Sequence, residues 1–258
     1  MIFGSTSKNV HLLSLTMLVI AIYGLFGLNI NFTLNNLILS TVSFYILNII
    51  GVWMMLHRYY SHKSFEFKNI IIENILLLIC ILSGRGSPLS WVYIHRQHHA
   101  YSDTEKDPHS PIVLGYKLFG FGHYVDMESE KMKIFMVKDL MSKQHLFIHK
   151  FYILIILCAI IPVLIYNFEL FYFLYVVPIV CIHLSQNHFN YIGHKFGYTN
   201  FVTKDHSKNN IWLFPFILGE AWHNNHHANP KRFTTKHRFY EFDPMHMLIK
   251  VLCKNYNH

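Results

Sequence analysis

Three short histidine clusters carry whatever chemistry this sequence can do: His57-Arg-Tyr-Tyr-Ser-His62, His95-Arg-Gln-His98-His99 and His223-Asn-Asn-His226-His227. In the second and third, the i, i+3, i+4 spacing sets imidazoles on one helical face, a turn apart. Neighbours such as His98 and His99 diverge by about 100°, so one pair can reach two different metals. The first cluster is spaced i, i+5, which a regular helix does not align, so the helix is expected to stop or bend between His57 and His62. Neutral imidazole suits iron, zinc, copper and nickel. No cysteine or paired carboxylate joins the clusters, which argues against a closed structural zinc site. A lone histidine is usually a hydrogen-bonded structural residue. Eight in three clusters make a metal centre the better reading.

The elements that must position these clusters are apolar helices. Of 258 residues, 52% are hydrophobic and only 14% are Asp, Glu, Lys or Arg. A soluble domain carries roughly 25% charged residues, and disorder needs more charge and less hydrophobicity. Four stretches approach the ~20 residues that cross a bilayer. They run over about 10–30, 37–56, 151–168 and 170–190. A short polar turn, Asn31 to Asn36, separates the first two, and little beyond Asn167 and Glu169 separates the last two. Two tight helical hairpins are therefore expected. A fifth apolar stretch, Ile70 to Leu82, is too short to span and suits an interfacial or re-entrant segment. The first stretch is too long for a cleaved signal peptide and lacks a small-residue cleavage site.

Charge sets the orientation. Twelve Lys and Arg lie between His57 and Lys150, nine between Gln186 and His258, and one at Lys8, with none in either hairpin turn. The positive-inside rule then assigns both termini, 57–150 and 191–258 to the cytoplasmic side. The net charge of +8 has the same explanation, and no nucleic acid partner is expected. Cys80, Cys158, Cys181 and Cys253 are far apart and form no CxxC pair, so reduced thiols are expected.

Taken together, the motifs HRYYSH, HRQHH and HNNHH resemble the stearoyl-CoA and acyl-lipid Δ9 fatty acid desaturases. The likeness runs through Trp91 to Pro111. It resumes at Asn190-Tyr-Ile-Gly-His194, Ser207-Lys-Asn-Asn210, Gly219 to His227 and Glu241-Phe-Asp243, within most of residues 45–245. The resemblance implies one all-α integral membrane domain over 1–258, with four transmembrane helices in two hairpins. A cytosolic helical cap would hold a di-iron centre on nine histidines. One iron would take His57, His62, His95, His99 and His226. The other would take His98, His194, His223 and His227, with Asn190 reaching it through a water. Asn187, Asn190 and His194 share a helical face at i, i+3, i+7, which independently supports His194. His183 falls on the same stripe, deeper, as a hydrogen-bonded polar residue. Asp103, Asp107 and Asp243 are candidates to orient ligand imidazoles. His109, His123, His145, His149, His188, His206, His237 and His246 match no ligand position and read as structural or surface residues.

A saturated acyl chain offers no polar handle, so removing its hydrogens is chemistry for a cofactor. The implied reaction uses O₂ and two electrons and leaves a cis double bond, Δ9 by resemblance, in a 16- or 18-carbon chain. Electrons would come from a separate ferredoxin or cytochrome b5 type carrier docking on the basic face. A membrane hydroxylase shares the histidine style, and a metal transporter is the alternative of another class. A transporter, however, should place its ionisable ligands near the bilayer midplane. Animal acyl-CoA desaturases typically have Asp where this chain has Ile94, and basic residues where it has Asp126-Met-Glu-Ser-Glu130. Acidic groups repel a phosphate-rich carrier, which leaves glycerolipid or acyl carrier protein beside CoA. The resemblance implies an apolar acyl tunnel whose closed end lies on the second span; Tyr45 and Ile49, which share a face at i, i+4 and fall ~18 and ~12 Å below His57 at α-helical rise, are candidates for it.

Overall fold

The computed structural model describes residues 4–28, 30–121 and 134–255. His123 and the acidic stretch Asp126 to Glu130 lie outside them. Four helices are long and apolar enough to cross a membrane: α1 (Ser7–Gly27), α2 (Leu34–Ser61), Lys143–Tyr166 and Phe168–Lys195. Each begins at a residue whose side chain caps a free backbone N–H. Thr6, Thr33, Ser142 and Asn167 accept from Asn9, Asn36, His145 and Leu170 respectively.

Between the spans lie α3 (Ile70–Leu82) and α4 (Pro88–Tyr101). The long helices Lys143–Tyr166 and Phe168–Lys195 follow as α5 and α6. Two shorter helices, α7 (His223–Ala228) and α8 (Met245–Leu252), complete the described helices used below. A two-residue antiparallel pairing of Glu66–Phe67 with Cys253–Lys254 ties the C-terminal end back to α3's approach. Among the described residues the chain is mostly helical, with this pairing and the bridges Tyr198–Asn209 and Asn209–Trp222 as its extended contacts.

Half of the most apolar window is buried in α2 and in α6, against 22% in α1 and α5. The inner pair therefore carries the core, and α1 and α5 present Leu12, Val19, Phe26, Leu154 and Ile165 outward. Apolar faces of this extent need an apolar surround. The turns before α2 and before α6 meet, with Asn36 Nδ2 donating to Glu169.

Both inner helices overrun the apolar stretches read from sequence. At ~1.5 Å per residue, the 28 residues of α6 reach about 40 Å, some two turns beyond ~30 Å of hydrocarbon. Those turns carry Asn190 and His194. Pro178, in α6, has no N–H to offer the carbonyl of Leu174, and Ser43 Oγ of α2 donates to it instead. A π-helical segment, Tyr172–Val176, lies just before this proline.

The first histidine cluster sits at the end of a wider helix. From Ile46 to Ser61, α2 is a π-helix. Its backbone bonds reach five residues back, and His62 N–H donates to the carbonyl of His57 at 3.2 Å. The i, i+5 spacing is thus the repeat of a wider helix. The helix does stop between the two histidines, ending at Ser61 with His62 as its cap. The same change removes the α-helical basis for putting Tyr45 and Ile49 on one face.

Candidate metal centre

Four elements deliver the histidines. The π-helical end of α2 gives His57 and His62, α4 gives His95, His98 and His99, α6 gives His194, and α7 gives His223, His226 and His227. Helix α4 starts cleanly because Ser87 caps it and Pro88 occupies its first position, where no N–H is needed.

The nine imidazoles fall into two sets. His57, His62, His95, His99 and His226 form one, and His98, His194, His223 and His227 the other. Within each, one nitrogen per ring lies within 4.8 Å of all the others. The sets coincide in membership with those the resemblance implies. Nε2 of His226 stands 3.0 Å from that of His57 and 3.1 Å from that of His99. Nε2 of His62 and His95 are 2.8 Å apart, and those of His194 and His223 are 3.0 Å apart.

Carboxylates decide what those nitrogens are. His98 Nδ1 donates to Asp107 at 2.9 Å, His194 Nδ1 to Asp103 at 3.0 Å, and His227 Nδ1 to Asp205 at 2.7 Å. With the proton fixed on Nδ1, each Nε2 presents a lone pair. His227 Nε2 is buried and has no hydrogen-bond partner. Lone pairs crowded this closely repel unless a cation lies among them. At a metal–nitrogen distance of about 2.0–2.1 Å, neighbouring ligand nitrogens sit about 2.8–3.4 Å apart, which matches the closest separations here. The sets therefore fit metal ions, and all-imidazole donors are compatible with iron.

Burial drives the imidazoles of His62, His95, His99, His223 and His226 well below their ordinary pKa, and that of His227 to about 4. They stay neutral, as metal ligands must be. Asp103, Asp107 and Asp205 are held below the usual carboxylate range by their hydrogen bonds to His194, His98 and His227, which outweigh the opposing effect of burial.

The Asp243 carboxylate reaches no imidazole of either set, contrary to the expectation; its backbone carbonyl meets the ring of His246. The carboxylate binds Arg58, whose Nη1 donates to it at 2.9 Å. Arg58 Nε donates in turn to Glu220 at 2.7 Å, and Glu220 Oε2 lies 3.1 Å from His57 Nδ1. Asp243 thus acts on His57 at two removes. Glu220 and Asp205 escaped sequence reasoning. Glu220 stands three residues before His223, a weak cue; Asp205 sits in a loop with no spacing rule to mark it.

A cavity opens beside the histidines, with His95, His98, His223 and Asn190 in its lining and Trp53, Trp91, Ile94 and Phe189 as apolar walls. Tyr45 and Ile49 do not line it. Ile49 is packed in the core, and Tyr45 donates from its hydroxyl to the carbonyl of Pro215. His183 accepts from Arg85 and stacks on Phe121 at 4.2 Å. His145 and His149 contact Ser142 and Ser87, outside both sets.

The sequence model of the fatty acid desaturase family matches residues 34–258. The chain belongs to the fatty acid desaturase family. It is an oxidoreductase family of lipid metabolism. This desaturase-family chain is 29% identical over 234 residues to a hex-5-enoyl-acyl-carrier-protein acetylenase of Moorena producens, covering 83% of this chain and 73% of that one. It is 30% identical over 197 residues to Delta-9 acyl-lipid desaturase 2 of Arabidopsis thaliana, covering 73% and 62%. With an sn-1 stearoyl-lipid 9-desaturase of Anabaena variabilis it shares 28% over 213 residues, covering 79% and 75%. The alignments thus span 62–75% of these relatives' own lengths.

One test of the desaturase centre follows from the carboxylates. Asp205→Asn removes the charge that fixes the His227 proton, and the loss of such a partner costs roughly 10–100-fold in metal affinity. The variant should fold yet release metal to a chelator at correspondingly lower concentration. Equal retention in variant and wild type would show that Asp205 only shapes its loop.

Proposed function

We propose that this chain is an O₂-dependent fatty acyl desaturase that uses two irons to place a cis double bond, Δ9, in a saturated 16- or 18-carbon chain. One observation carries the reading: five and four imidazoles converge beside a cavity with apolar walls, four of them backed by carboxylates. His57, His62, His95, His99 and His226 would hold one iron; His98, His194, His223 and His227 would hold the other, with Asn190 acting through a water. When bound, the irons supply oxygen activation with two electrons, removing two neighbouring hydrogens and yielding water. The protein's part is to hold neutral imidazoles in fixed tautomers and to keep an apolar path beside them.

The acyl carrier we favour is a glycerolipid. The relatives from Arabidopsis and Anabaena carry lipid substrates in their names, while the Moorena relative names an acyl carrier protein. In this reading 1–258 acts as one domain, α1–α2 and α5–α6 form two membrane hairpins, and the histidines, with both termini, face the cytoplasm. Support comes from the meeting of the two turns through Asn36 and Glu169 and from the absence of Lys and Arg in both. A ferredoxin or cytochrome b5 type donor supplies electrons. The decisive experiment incubates purified, iron-analysed protein with O₂, a reduced donor and saturated lipid, CoA and carrier-protein substrates. A cis-monounsaturated product and two irons per chain are expected; a hydroxylated product, or iron-free activity, would overturn the reading.

Chain length gives a second test. Ile49 is buried on α2, about two turns from His57, and we retain it with Tyr45 as a candidate for the tunnel's closed end. Ile49→Ala should raise the share of 18-carbon over 16-carbon product, each buried CH₂ being worth ~0.8 kcal/mol. An unchanged ratio in a folded, metal-loaded variant would remove Ile49 from the tunnel.

A further inference from the structure

The cavity beside the histidines has an opposite pole that the proposed chemistry leaves unused. There Arg85 enters the lining together with His183 and Gln186. Its Nη1 donates to His183 Nδ1 at 2.8 Å, while its Nε–H is buried and has no hydrogen-bond partner. None of the ion pairs among the described residues involves Arg85.

The chain holds this cation in place deliberately. Arg85 lies between Gly84 and Gly86, whose φ of 72° and 112° are conformations that side chains with a Cβ rarely adopt. The Tyr152 hydroxyl accepts from Gly86 N–H at 2.9 Å and donates to the carbonyl of Ile81 at 3.1 Å. Ser5 Oγ accepts from Ser87 N–H at 2.8 Å. The turn that carries Arg85 is thus pinned by α5 and by the N-terminal segment. An unmade hydrogen bond on a buried charged group is a standing cost, removed when a ligand supplies an oxygen.

We propose that Arg85 binds the ester carbonyl oxygen at the carboxyl-derived end of the acyl chain and so fixes which methylenes reach the histidines. The inference rests on the desaturase reading above. A guanidinium only donates, so it selects acceptor oxygens. An acyl chain carries such oxygens at one end alone, and the apolar part of the lining, Trp53, Trp91, Ile94 and Phe189, whose aromatic rings pack against the histidines, suits the methylenes. With one pole anchoring oxygen and the other holding the histidines, the double bond is counted from the ester, whatever the length of the tail.

Binding is read first, without turnover. Trp53 and Trp91 line the cavity, and their fluorescence reports filling by glyceryl monopalmitate or by the hexadecyl glyceryl ether, which lacks the carbonyl, under anaerobic conditions. Wild type should bind the ester roughly 10–100-fold more tightly than the ether, the range for one hydrogen bond to a charged group. Arg85→Gln should bind both alike, with Arg85→Lys between. Palmitoyl-CoA in the same titration shows whether a thioester carbonyl serves as well. Equal ester and ether affinity in wild type would overturn the proposal, even if both variants fail to fold. Turnover is read second: wild type should place the double bond at one position counted from the carbonyl in 16- and 18-carbon substrates, and Arg85→Gln should scatter it. A position fixed from the methyl end would also overturn it. If wild type prefers the ester but forms no unsaturated product, the desaturase reading fails and the Arg85 site stands. If it desaturates without preferring the ester, Arg85 alone falls.

Discussion

His226→Ala abolishes desaturation and strips bound metal, because the His226 ring nitrogen lies in close contact with those of two other rings of the five-imidazole set. Its Nε2 is within 3.1 Å of the same atom in both His57 and His99, and its ring centroid is 4.6 Å from that of His62. A methyl group cannot replace a ligand nitrogen, and the four remaining imidazoles lose the fifth corner of their arrangement. Metal analysis of the purified variant should show at least one ion fewer per chain, with product below detection. His57, His62, His95, His98, His99, His194, His223 and His227 should behave alike. His145→Ala and His237→Ala supply the contrast. The first ring meets Ser142, the second packs on Phe201 at 4.6 Å, and both variants should keep activity. Full turnover with full iron in His226→Ala would sink the assignment of that set.

Arg58→Met should be the most destabilising single change in the chain. The guanidinium is 1% exposed and bridges two carboxylates, Glu220 and Asp243, that are fully buried. It also donates to the carbonyl of Phe233 at 2.7 Å. Removing one member of a buried ion cluster costs about 3–5 kcal/mol, chiefly because the remaining charges are stranded. Two carboxylates are stranded here, one of them against His57. Thermal unfolding in detergent should begin many degrees lower, and the metal should leave with the fold. Arg58→Lys should rescue little, since a single ammonium cannot serve Nε and both Nη positions at once. A wild-type melting curve for Arg58→Met would show that the cluster stabilises nothing.

What sequence could reveal here was whatever repeats. Histidines spaced by helical turns announced eight of the nine clustered rings, and runs of apolar residues located the four long helices to within several residues. The ninth, His194, came from the resemblance, with the asparagine stripe on its own helix as support. Features with no periodicity stayed hidden. Glu220 and Asp205 reach imidazoles through folded contacts between separate segments, and single acids in loops have no pattern. Arg58, inside the first cluster, carries no spacing that marks it as the partner of Asp243, whose carboxylate binds the guanidinium and not a ligand imidazole. The overrun of α6 was missed because polar Gln186, Asn187 and Asn190 end the apolar run while continuing the helix.

The π-helical stretch from Ile46 to Ser61 stores its geometry in the number of residues per turn rather than in any one side chain. Substitutions along it change packing locally and leave the repeat intact. Losing or gaining one residue is different. Each residue advances the helix by roughly a quarter turn, so a one-residue deletion above His57 would turn the whole arc from the deletion to His62 against α4 and α7. Lineages descending from this chain can therefore rewrite the letters of this segment far more freely than they can alter its length, and a single-residue deletion scan beside an alanine scan would measure that difference.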